Sequence, residues 1–165
     1  YRLFVKLFIR LPSKKYSYIT LRVFDKNRQL EDLKIYHELM NRIFPSQSIY
    51  CPVISWEERY YNMADKNPIF DPRYSYFLED RGIPVGMLVA HRYQNKLCID
   101  LLGLLQQYRG HRLSNLLIRK VHDQASEDKL EAAIYALIRI GNQVYEMKRP
   151  GVKVYRRYVT MRKQI

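Results

Sequence analysis

A basic, glycine-containing turn set between a strand pattern and a helix pattern constrains this chain more than any other feature. Residues 97–105 are an apolar run that reads as a buried strand. The turn Gln107-Tyr108-Arg109-Gly110-His111-Arg112 follows, and an amphipathic helical pattern begins near Leu113. A chain arranged in this way can build an anion site from its own backbone. The first N–H groups of a helix lack intrahelical acceptors, and the helix dipole places partial positive charge at that end. Arg109, His111 and Arg112 add side-chain donors. A merely solvated basic loop would show the same spacing, so the rest of the chain has to decide between the two.

At 165 residues the chain is long enough for one domain with a full core, and we take residues 1–165 as that domain. Residues 1–17 are expected to be an N-terminal strand or arm; their start is basic and apolar and lacks the small-residue cleavage site of a signal peptide. The chain does not begin with Met, which fits part of a longer protein. A net charge of +13 favours polyanionic partners: phosphates, nucleic acid, an acidic carrier protein or an anionic membrane face. The charge is concentrated at the ends. No acidic residue follows Glu146, whereas Lys148, Arg149, Lys153, Arg156, Arg157, Arg162 and Lys163 do. Cys51 and Cys98 have no metal-ligand spacing to histidine, so the expectation is a reduced, cytoplasmic protein without a metal, in which Cys98 is a small core residue. No apolar stretch approaches the roughly 20 residues that span a bilayer.

Periodicity predicts a strand over residues 18–24. A helix is expected over 28–44, with Asp25 and Asn27 as caps and Pro45 at its end. A shorter helix is expected over 55–63, with Ser55 as cap. Strands follow over 73–79, 85–93 and 97–105, then the basic turn and a helix presenting Leu113, Leu116, Leu117, Val121 and Ala125. A strand over 132–138, a short helix over 142–148 and a strand over 153–161 complete the order β-α-α-β-β-β-α-β-α-β. This is an α/β layout with a mixed sheet.

The order of elements and the turn together resemble the GNAT superfamily of acyl-coenzyme A-dependent N-acyltransferases. That family's signature, Gln/Arg-x-x-Gly-x-Gly/Ala, lies between a strand and a helix; Gln107 and Gly110 match it, and Arg112 stands where a small residue is expected. The hairpin EDRGIPVGMLVA with Gly86, the run Tyr145-Glu146-Met147-Lys148 and the terminal YRRYVTMRK are similar to further stretches of the family. The family's asparagine seven residues before the tyrosine is Ile138 here.

The resemblance implies a mixed, mostly antiparallel sheet flanked by helices, with acetyl-CoA or another acyl-CoA as co-substrate and a primary amine as acceptor. Its pyrophosphate would rest on the backbone from Arg109 through Gly110, His111, Arg112 and Leu113 to Ser114, beside Gln107. Strand backbone groups near Leu102 and Leu104 would stay free to hold the pantetheine arm and polarise the thioester carbonyl, with a bulge at Gly103. Tyr145 would protonate the departing thiolate. Asp100 is the candidate base, with Glu79 and His91 as rivals. For His111 and His122 a phosphate contact or a surface position is expected, and Tyr50, Trp56, Tyr60 and Tyr61 could line an aromatic acceptor pocket. Two other readings stay open: an acyl-carrier protein as donor, and a non-catalytic basic module binding RNA, DNA or protein. Beyond charge, no nucleic-acid signal is present.

Overall fold

Apolar runs and tight turns bring four consecutive strands side by side, and a helical crossover adds a fifth. The computed structural model describes residues 12, 16–45, 52–64 (the side chains of 61–64 excepted), 71–136, 153, 154 and 157. The strands are β1 (Ile19–Val23), β2 (Tyr76–Asp80), β3 (Ile83–Tyr93), β4 (Lys96–Leu104) and β5 (Ala132–Tyr135), and the helices are α1 (Gln29–Ile43), α2 (Trp56–Ala64) and α3 (Ser114–Glu127). The sheet runs β1-β2-β3-β4-β5. Its first three pairings are antiparallel, and β4–β5 is parallel. This is the mixed, mostly antiparallel sheet that the sequence leads one to expect. The expected helix at 142–148 lies outside the described residues, as does most of the last strand. Within that strand's expected span, Lys153, Val154 and Arg157 are described and carry no regular structure.

Local chemistry explains where the elements start and stop. Asp25 Oδ1 accepts from the Asn27 N–H, capping a short 3-10 turn (Lys26–Arg28), and α1 proper begins after it. Ser55 Oγ accepts from the Glu58 N–H at 3.1 Å, as a helix cap should. β2 starts later than the expected residue 73. Asp71 instead holds a turn, its side chain accepting from the Arg73 N–H and its carbonyl from the Tyr74 N–H. Arg81 (φ 50°) and Gly82 (φ 81°) form the two-residue β2–β3 turn, with the two positive φ angles that match strand twist. At the end of α3, Lys129 is left-handed (φ 56°), its N–H donates to Ser126 O, and the Leu130 N–H donates to Ala125 O. That pair of bonds satisfies the last carbonyls of the helix.

The core lies on both faces of the sheet. α1 contributes Leu33, Tyr36, Leu39, Met40 and Ile43, and α3 contributes Leu117, Val121 and Ala125, all buried. Leu113, just before α3, is buried with them. The expected helical faces are confirmed, with Leu116 only partly buried. The expected bulge at Gly103 is not where the sheet places it. Gly103 pairs in register with Met87, and the register shifts between Val89 and Ala90, leaving Asp100 as the extra residue on β4. Gly103 serves packing instead. A Cβ there would lie 2.8 Å from Ile43 Cγ2, so the missing side chain lets α1 approach β4.

Candidate functional site

β4 and the turn after it form one assembly. The Leu105 N–H donates to Val85 O, which makes Val85 and Leu105 a hydrogen-bonded pair. Alternation along the ladder then commits the backbone of Gly103 and Leu101 to β3 and turns that of Leu102 and Leu104 to the opposite side. On that side β5 pairs only with Lys96 to Ile99 of β4, and the last bond runs from the Ala136 N–H to Ile99 O. Among the described residues no strand covers β4 beyond that point, where the backbone of Leu102 and Leu104 faces outward. One expected free group is taken: Arg109 Nε donates to Leu104 O at 2.9 Å. This bond ties the turn to the strand end.

The turn is held from two further sides. The Tyr108 hydroxyl donates to Asp80 Oδ2 at 2.7 Å, anchoring the 3-10 turn Gln106–Tyr108 to the β2–β3 hairpin; that bond also pushes the phenol's pKa up. The His111 ring lies 5.2 Å from that of Tyr16. Gly110 has φ 80°, a conformation glycine adopts without strain. Arg112 has φ 62° and is exposed, so the position where the family pattern has a small residue is left-handed here and its side chain points to solvent. Leu113, the residue after it, is right-handed. A left-handed residue followed by a right-handed one turns successive N–H groups to one side, a concave anion nest. It opens onto the start of α3, whose first turn has no acidic residue and no side-chain cap. Gln107 is exposed at the rim.

On the opposite, α1-facing side of the sheet the bulge residue Asp100 meets His91. His91 Nδ1 lies 2.7 Å from Asp100 Oδ2, and the two side chains are 38% and 31% exposed. Glu79, the other rival base, is committed elsewhere. Arg22 bridges Glu79 (2.6 Å) and the fully buried Asp32 (2.8 Å), and the Asp25 N–H donates to Asp32 Oδ2. Cys98 pairs directly with His91 in register, but His91 Nδ1 is turned to Asp100, and burial pushes the thiol pKa up, which disfavours a nucleophilic thiolate.

His122 is not at the surface as expected. It is buried between α3 and β5 with Nε2 2.7 Å from the Tyr135 hydroxyl, and burial lowers its pKa to about 4. Trp56 and Tyr60 do cluster, with ring centroids 5.3 Å apart, and Trp56 packs edge-on to His37. Burial and then the Arg59 guanidinium push the His37 imidazole pKa down. Tyr50, the Tyr61 side chain, Ile138 and Tyr145 lie outside the described residues. An open concavity beside β1 is lined by Arg22, Lys26, Arg28 and Arg73. Three of those cations are already paired, Arg28 with Glu31, Arg73 with Asp128 and Arg22 with Asp32 and Glu79.

No family model and no curated protein matches the sequence. Solved structures do match. A GCN5-related N-acetyltransferase from Sphaerobacter thermophilus aligns with a TM-score of 0.56 at 18% identity, over 73% of this chain and 35% of that one. The chain has the GCN5-related N-acetyltransferase (GNAT) fold. The GNAT match spans about a third of the Sphaerobacter protein's length. An acetyltransferase from Trypanosoma brucei aligns with a TM-score of 0.55 at 19% identity, over 88% of this chain and 99% of that one. The PaiA N-acetyltransferase of Thermoplasma acidophilum, solved with coenzyme A, aligns at 0.53 with 14% identity, over 78% and 86%. Set on the GNAT fold, the stretch of β4 that no described strand covers and the nest before α3 lie on one continuous strand-turn-helix unit.

Proposed function

We propose that this protein is an N-acyltransferase that moves an acyl group, most simply acetyl, from coenzyme A to a primary amine. The observation that carries the proposal is the nest at Arg112 and Leu113, opening onto an uncapped helix start directly after a strand whose outward backbone is uncovered among the described residues. The N–H groups of Arg112, Leu113 and Ser114 hold the pyrophosphate, as backbone donors at a helix start do. The pantetheine arm runs along β4, where the Leu102 and Leu104 amides meet it and one of them donates to the thioester oxygen. Gly110 lets the backbone approach closely, and Arg112, His111 and the rest of the Arg109 guanidinium face the phosphates. Coenzyme A in the Thermoplasma neighbour supports CoA as the donor.

The amine attacks the carbonyl carbon directly, and Tyr145 returns a proton to the thiolate. The family resemblance, rather than any described geometry, supports that role for Tyr145. Isothermal titration with CoA and acetyl-CoA tests the reading. Binding at micromolar to submillimolar concentration is expected, and Arg112→Ala weakens it about tenfold, since hydrogen bonds to charged groups are worth about 1.5–3 kcal/mol. Absence of binding by the unaltered chain at millimolar ligand rejects the proposal.

A further inference from the structure

The acceptor side of the sheet carries a pair of side chains that the phosphate turn leaves unexplained. Met87, Val89 and His91 alternate onto one face of β3. Gly103, paired with Met87, meets Ile43 of α1 on that same face. The bulge inserts Asp100 opposite the step between Val89 and Ala90, which brings its carboxylate diagonally onto His91 Nδ1 at 2.7 Å. An ionised carboxylate can only accept, so Nδ1 carries the hydrogen and the neutral ring keeps its lone pair on Nε2. Both side chains are partly exposed, and Nδ1 rather than Nε2 is the nitrogen turned to Asp100. Leu102, whose amide faces the groove, is two residues along the same strand.

We propose that His91 is the proton acceptor for the attacking amine, and that Asp100 is the positioning residue that fixes its tautomer. This rests on the acyltransferase reading. In the step, the amine nitrogen forms a bond to the thioester carbonyl carbon and gives its surplus proton to His91 Nε2. The carbon–sulfur bond breaks, and its electron pair leaves on the CoA thiolate, which takes one proton from the acid. His91 then releases its proton to water, and the acid regains one from water, so that both groups return to their starting state. A carboxylate, an imidazole and an open ring nitrogen in line is the general-base arrangement that needs no further group. The assignment also separates the two faces of the sheet. Phosphates and thioester lie along β4 toward β5, and the amine comes in on the side of α1.

The experiment uses the full chain with acetyl-CoA as donor and spermidine and a lysine-containing peptide as amine probes, followed by thiol release. His91→Gln and Asp100→Asn are expected to lower kcat by about 100-fold or more, as loss of a general base does. Acetyl-CoA affinity should stay within about twofold, and Asp100→Glu should restore part of the rate. Nitrogen NMR of the wild-type imidazole, which needs no variant to fold, is expected to show the proton on Nδ1 and to lose that preference in Asp100→Asn. A proton on Nε2 in the wild type, equal rates in wild type and both variants, or no amine product from either probe while acetyl-CoA binds overturns the dyad and leaves the CoA reading standing. Failure of the wild type to bind acetyl-CoA overturns the acyltransferase reading itself.

Discussion

Single residues in this protein acquire their meaning from backbone angle and burial, which their neighbours in sequence do not reveal. Arg112 stands where the resemblance leads one to expect a small residue, and its φ of 62° is left-handed, a conformation that costs any side chain about 1–2 kcal/mol. Here the cost is borne and the side chain is exposed rather than filling the nest. His122 shows the opposite case. Its place on a helix suggests a surface residue, yet it is buried, and its imidazole pKa drops from 6.5 to about 4. The unfolded chain therefore binds a proton near pH 6.5 that the folded chain refuses until about pH 4. Its contribution to stability is full above pH 6.5 and is lost as pH falls through that window. Each pH unit is worth about 1.4 kcal/mol, so the loss reaches about 3 kcal/mol. Urea unfolding of wild type and His122→Gln between pH 7 and 4 checks this, and the variant should show a flatter profile.

At the scale of elements, most of the fold is legible in the sequence. The apolar runs of β3 and β4, the Arg81-Gly82 turn and the Ser55 cap declare themselves by residue type, because each rests on interactions a few residues apart. What is not legible is where a ladder skips. Gly103 looks like the natural bulge, being flexible, but the sheet uses Asp100 and spends the glycine on helix packing. Gly103→Ala tests that account. Its Cβ would meet Ile43 Cγ2 at 2.8 Å and Phe44 Cζ at 3.0 Å, so about 1–3 kcal/mol of destabilisation is expected in thermal or denaturant unfolding. A change near zero would mean that α1 shifts freely.

The whole molecule carries a net charge of +13, which suits the highly charged ligand proposed for it. With a net charge of +13, CoA binding should weaken several-fold between 0.1 M and 1 M salt, as the screening length falls from about 10 Å to about 3 Å. Calorimetry across that range measures it, and salt-independent affinity would mean that the phosphates are held by the backbone nest alone. The sequence by itself determined the strand-turn-helix unit from residue 97 onward, the helical faces and the hairpins. All of these follow from periodicity and turn chemistry over short separations. It also singled out Gln107 to Arg112 and ranked Asp100 among the bases. Only the tertiary structure decided which of those residues act together. It paired Asp100 with His91, removed Glu79 into a buried cluster with Arg22 and Asp32, and used Arg109 to fasten the turn to Leu104. Those outcomes depend on sheet register and helix docking, in which residues far apart in sequence come within hydrogen-bonding distance, and local pattern carries no record of that.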